Sequence, residues 1–181
     1  MEGLKATTKT GGRVTPAKLL RRFCKDRRGS TAIEFAILAL PFFVVLFAIL
    51  EMCVSFAAQQ VITNATDEIG RKYRTGELKP ADINQQELRA MLCERISVIV
   101  SNDCPGLNFD LQSFETFQSI SDELKRNPIP STYKYLPGEA LTKNMLRVFY
   151  EWPVMTNIMA ARAGDTALLF ATTTWQNEPF N

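Results

Sequence analysis

The sequence predicts an α+β chain: a long N-terminal transmembrane helix, a second helix, and a small antiparallel sheet of three or four strands. Three observations carry that expectation. A basic leader gives way to a long apolar run, apolar residues beyond the run recur at helical spacing, and the C-terminal half holds three strand-like segments. With 181 residues, 46% hydrophobic and 22% charged, the chain can supply one membrane segment and one small domain.

The net charge of +2 conceals an asymmetry. Residues 1–28 hold nine Lys/Arg against Glu2 and Asp26, a balance of +7, whereas residues 30–181 hold twelve against seventeen acids. A basic end can attract nucleic acid or anionic lipid. Directly before a hydrophobic run it reads more simply as the cytoplasmic flank of a membrane segment. Nucleic acid is therefore not expected as a partner. Histidine is absent, which removes the commonest general base and metal ligand. The chain has no phosphate-binding GxxxxGK[ST] loop, no GxSxG elbow and no paired CxxC pattern. No catalytic residue, metal or cofactor is expected, and the chain is read as a non-enzyme.

Between Ala32 and Ala58 the only formal charges are Glu34 and Glu51, and the sixteen residues FAILALPFFVVLFAIL, 35–50, carry none. As a helix, residues 32–58 would extend about 40 Å at about 1.5 Å per residue, more than the ~30 Å hydrocarbon core. Pro41 leaves the Ile37 carbonyl without its usual partner, which membrane helices tolerate. A secretory signal cut near Ala57 fits less well, because the apolar region is long and carries Glu51 near its end. A lipoprotein signal ending at Cys53 would place Glu51 and Met52 where small residues belong. A plain single-pass anchor accounts for everything except Glu34.

Gly29 is followed by Ser30, with Glu34 the fifth residue after the glycine and Phe35 the sixth. Set between a basic leader and an apolar helix, this resembles a class III prepilin cleavage site of the type IV pilin superfamily. The longer stretch DRRGSTAIEFAILALPFF, followed by Glu51, is similar to the TadE/TadG-like proteins of tight-adherence (Flp/Tad) pilus systems, over roughly residues 22–70. The tail WQNEPF is similar to the ending of TadE-type pseudopilins. The resemblance implies a pilin-like α+β head and cleavage by a prepilin peptidase between Gly29 and Ser30. It also implies pilus subunits, the Tad assembly machinery and inner-membrane lipids as partners. The chain is longer than the small major Flp pilins. It lacks the DxSxS metal motif carried by larger TadG-like proteins, which favours the TadE side. Ser30 stands where many type IV pilins have an N-methylated Phe.

Each part of the junction has a physical use. Glycine at the scissile position leaves no side chain to obstruct a peptidase that grips the backbone. Cleavage would expose an ammonium on Ser30, and in a fibre Glu34 of an adjacent subunit can neutralise it. A Glu34 that reaches the headgroups needs no fibre.

Beyond Ala58 the helix is expected to continue, because Val61, Ile62, Ala65, Ile69 and Tyr73 keep helical spacing while Asp67, Glu68, Arg71, Lys72 and Arg74 take other faces. Gly76 marks a stop and Pro80 a break. A second helix begins at Asn84, which can form a capping box with Glu87, and its stripe is Leu88, Met91, Leu92, Ile96 and Ile99. Strands are expected at 107–117, 145–152 and 166–175. In the second, Leu146, Val148, Tyr150 and Trp152 alternate with Arg147, Phe149 and Glu151. Residues 119–144, with Pro128, Pro130 and Pro137, read as a long polar surface loop. Cys24 lies in the leader and Cys53 in the membrane segment, while Cys93 and Cys104 share the exported part and suggest a disulfide. Two free buried thiols are the other possibility.

The resulting organisation is a leader at 1–29, a membrane helix at 30–58 and a periplasmic head at 59–181, in a single-pass protein of the bacterial inner membrane with a cytoplasmic N-terminus. The expected role is that of a minor pseudopilin or assembly protein of a Tad-type pilus, inside or beside the fibre. The rival from another class is an uncleaved, membrane-anchored periplasmic binding module.

Overall fold

A computed structural model describes residues 30–100, 103–154 and 166–179. The leader, with Cys24 and Gly29, lies outside the described residues, as does Phe180 of the tail. The chain divides into two compact units, Met1–Val45 and Leu46–Asn181.

The described part of the first unit is helical and belongs to α1, Ser30–Arg74. Its large apolar side chains face outward: Phe35 is 72% exposed and Leu40 70%. Pro41 is held inside the helix.

In the second unit the character of α1 changes at Ala58. From there Ala58, Ile62, Ala65, Ile69 and Tyr73 are buried, at the predicted helical spacing, and Thr66 is buried beside them. The helix ends at Arg74, and Gly76, at a positive φ of 75°, turns the chain. Leu78 then donates its amide to the Lys72 carbonyl at 3.1 Å. Helix α2, Gln85–Ile96, opens on the expected capping box: the Asn84 side chain accepts from the Gln86 and Glu87 amides, and Glu87 accepts from the Asn84 amide. Leu88, Leu92 and Ile96 are buried; Met91 is half-buried, and Ile99 lies past the helix end.

The sheet is built from β1, Leu107–Phe114, β2, Tyr135–Leu136, β3, Lys143–Pro153, and β4, Thr166–Gln176, in the order β2-β1-β3-β4. β3 pairs antiparallel with both β1 and β4. The expectation of a purely antiparallel sheet is corrected at β2, which runs parallel to β1 through Leu111↔Tyr135 and Gln112↔Leu136. The reason lies in the connection. Residues 119–144 are not one irregular loop, because they contain most of α3, Phe117–Arg126, and then β2. A helix between β1 and β2 carries the chain back, so that the second strand enters in the same direction as the first. β1 accordingly ends at Phe114, and Phe117 starts α3.

One sheet face carries Leu107, Phe109 and Leu111 opposite Tyr150, Val148 and Leu146. These residues, with Ala171 and Trp175 of β4, form the core against α1 and α2. The second face is covered where α3 and its return cross it. Of the residues expected to alternate with the core set of β3, Arg147 and Phe149 are therefore buried too, as is Met145, and Glu151 is exposed.

Arg147 and Asp110, cross-strand partners 1% and 0% exposed, form an ion pair at 2.6 Å beneath that crossover. Arg147 Nε also donates to Asp110 Oδ2, and Nη1 donates to the Asn127 carbonyl at 2.6 Å. Asp110 accepts the Lys134 amide on Oδ1 and the Gln112 amide group on Oδ2. Both charges are thus satisfied, and the pair ties the chain on either side of the proline-containing segment to the sheet. Removing only the acid strands a buried guanidinium. Asp110→Ala is expected to cost about 3–5 kcal/mol. Urea unfolding of the full chain in detergent, followed by near-ultraviolet circular dichroism, measures the loss, and a change under ~1 kcal/mol would show the pair to be dispensable.

Candidate functional site

The residues singled out for processing sit at the start of α1. Ser30 is its first residue, Glu34 and Phe35 follow within its first two turns, and both of the latter are exposed. Gly29, the expected scissile glycine, lies outside the described residues. α1 thus offers an outward-facing apolar surface in which Glu34 and Glu51 are the acids.

The outer half of the same helix is fixed to the head by close packing. A Cβ placed on Gly70 would lie 2.8 Å from Thr173 Cγ2 and 3.2 Å from the Trp175 ring, so glycine lets the helix approach the sheet that closely. Gln59 Nε2 donates to the Phe170 carbonyl at 2.7 Å, and the Glu178 amide donates to the Arg74 carbonyl at 2.9 Å. β4 is therefore fastened near both ends of the buried half of α1. Trp175 Nε1 donates to Asn177 Oδ1, and the Asn177 side chain donates to the carbonyls of Gly138 and Glu139. The described residues of the tail motif thus have a packing role.

A second fastening lies at the helix end. Tyr135 donates its hydroxyl to the Ile83 carbonyl, which leaves its oxygen to accept from Tyr73, 3.2 Å away. Burial, and then the bond to Tyr135, push the Tyr73 phenol well above its ordinary value. The Tyr150 phenol is raised by burial alone.

The Cys93–Cys104 disulfide joins α2 to the segment entering β1, as expected, and Arg89 Nη2 donates to the Cys104 carbonyl at 3.0 Å beside it. Cys53 is free and exposed on α1. Among the described residues no group of three or more His, Cys, Asp or Glu is placed to hold a metal ion.

Among the described residues α1 is the one helix long and apolar enough to cross a membrane, and none of its most apolar stretch is buried. Residues 29–71 match the family model described as TadE-like protein. The chain carries a TadE-like segment. No curated protein and no solved structure matches the chain. The TadE-like segment begins at Gly29 and ends at Arg71, so it takes in the processing junction, the apolar run and most of the α1 surface that packs on the sheet. Sequence reasoning found these residues from the leader, the glycine and the helical spacing. It missed the Gly70 contact, whose signal is only a glycine inside a helical pattern.

Two measurements follow from these fastenings. Reducing the disulfide should lower the stability of the folded chain by about 2–3 kcal/mol on the loop-closure estimate, read from unfolding midpoints with and without reductant. The neutral Tyr73 phenol stabilises the fold fully below the ordinary tyrosine pKa of about 10, and that contribution falls as pH rises above it. Tyr73→Phe should therefore flatten the alkaline fall in stability while costing about 1 kcal/mol at neutral pH.

Proposed function

We propose that this TadE-like chain is a pseudopilin-like protein of the bacterial inner membrane that acts structurally in assembly of a Tad-type pilus. A TadE-like domain points to Tad pilus assembly, and the match over residues 29–71 is the observation that carries the reading. The exposed apolar stretch of α1 supports a single membrane crossing. The +7 leader favours a cytoplasmic N-terminus and a periplasmic head at 59–181. The role is proposed as non-catalytic: the head is carried on a helix that packs among neighbouring subunits, and the protein initiates, caps or stabilises the fibre. Its partners would be a prepilin peptidase, pilus subunits, the Tad machinery and the lipid around α1.

In this reading the peptidase cuts between Gly29 and Ser30. The new Ser30 ammonium at one membrane edge then requires an opposite charge, and Glu34 of a neighbour supplies it. A carboxylate at the bilayer centre costs roughly 2.5–3.5 kcal/mol, and less near the edge where Glu34 would sit.

Intact-mass measurement of membrane-extracted protein should show a chain lacking residues 1–29, and Gly29→Val should accumulate precursor. A mature chain that begins at Met1 would favour an uncleaved anchored module instead. Glu34→Leu should leave insertion and cleavage largely intact while reducing surface pili, counted by electron microscopy. Normal piliation with that variant would mean that Glu34 only reaches the headgroups.

A further inference from the structure

β4 runs in the same direction as the buried half of α1, because Gln59 meets Phe170 and Arg74 meets Glu178. Its N-terminal half therefore extends back toward the apolar part of the helix. Phe170 lies level with Gln59, one residue past Ala58, where burial of α1 begins. Leu168 lies up to about 7 Å nearer the apolar run, at about 3.4 Å per strand residue. On the helix that distance corresponds to four or five residues at about 1.5 Å each, which reaches the level of Val54 and Ser55.

What β4 presents at that level is apolar. Leu168 and Phe170 share the sheet face away from the core and are 40% and 58% exposed. From Thr166 to Asn177 the chain carries no charge. Beside the start of β4, Ile99, Val100, Pro105, Trp152 and Pro153 line an open hollow of about 410 Å³. Val98, just before it in the chain, is 84% exposed. Among the described residues, charged neighbours include Glu151, which lines the hollow and is the cross-strand partner of Leu168, Asp103, two positions before Pro105, and Arg89, which donates to the Cys104 carbonyl. At the opposite ends of the strands stand Lys143 and Glu178, and Arg74 ends the helix.

We infer that this end of the head is a lipid-contacting surface: Leu168 and Phe170, with the rim around Trp152 and Pro153, rest in the headgroup boundary of the leaflet from which α1 emerges. The occupant is a bilayer surface, because the patch continues at the same level, within one compact unit, the exposed apolar side chains Val54 and Phe56 of α1. The interfacial layer, about 5–8 Å on each side of the hydrocarbon, can take Leu168 and Phe170 together with the exposed carboxylate of Glu151, the cross-strand partner of Leu168. The head then has three attachments to the bilayer region instead of one, which limits its rotation about α1.

The inference rests on the membrane-spanning reading of α1, and the test separates the two. Phe170→Trp, Leu168→Trp and Phe47→Trp variants of the full chain are reconstituted in vesicles whose lipids are brominated either near the headgroup or near the chain ends. The unsubstituted chain provides the emission baseline for Trp152 and Trp175. The expected result is loss of emission at positions 170 and 168 with headgroup-proximal bromine and little with terminal bromine, while position 47 is quenched by the deep label. Quenching at 47 with none at 168 and 170, and free access of these two to aqueous acrylamide, overturns the lipid contact alone. Shielding of 168 and 170 from both bromine and acrylamide assigns the patch to a protein partner and equally overturns it. No quenching at 47 overturns the membrane reading itself, and this inference with it.

Discussion

The buried half of α1 is the element on which the head depends, and its packing against β3 and β4 is set by small residues as much as by large ones. Gly70 lets the helix approach Thr173 and Trp175 closely, and Ala58, Ile62, Ala65, Ile69 and Tyr73 are buried in the same core. A bulky side chain at position 70 would collide with Thr173 and Trp175, and Trp175 also anchors Asn177. Displacing the helix would thus disturb the strand, the tail and the loop at Gly138 together. Close packing in a core transmits such changes because it leaves few voids to absorb them.

The second sheet face follows a different logic. Its centre is a charged pair, and Asp110 and Arg147 hold the crossover through α3 and β2 by accepting from and donating to backbone on both sides of its proline-containing segment. A buried pair of this kind stabilises little on net relative to an apolar substitute, but it specifies which backbone groups may lie over it. That specificity suits a segment with Pro128 and Pro130, in which few backbone donors are available to fix the path.

Much of this was legible in the residues. The period of Ile62, Ala65, Ile69 and Tyr73 marked the packed helix face, Asn84 with Glu87 marked the start of α2, and Cys93 with Cys104 marked a disulfide. α3 was hidden because its cap, Thr116, is answered by Ser119 rather than by the Glu or Gln of the usual signature. Its own apolar stripe, Phe117, Ile120 and Leu124, is only two turns long, and its first member reads as the end of the preceding strand. The parallel pairing of β2 could not be read locally, since two residues have no direction of their own and take it from the crossover. At the expected processing junction, Glu34 and Phe35 stand on α1, and Gly29 falls outside the described residues.

The tie between Gln59 and Phe170 spans 111 positions, and the Arg74 carbonyl waits for the amide of Glu178. The helix that is synthesised first is therefore completed last. During synthesis its inner face, from Ala58 to Tyr73, stays uncovered until nearly the whole chain has emerged, and closure of so long a loop is slow compared with helix formation. A chain with this topology has a long interval in which a sticky helical face is open to its neighbours. The rate of synthesis and local crowding, as well as final stability, then bear on how many molecules reach the folded state.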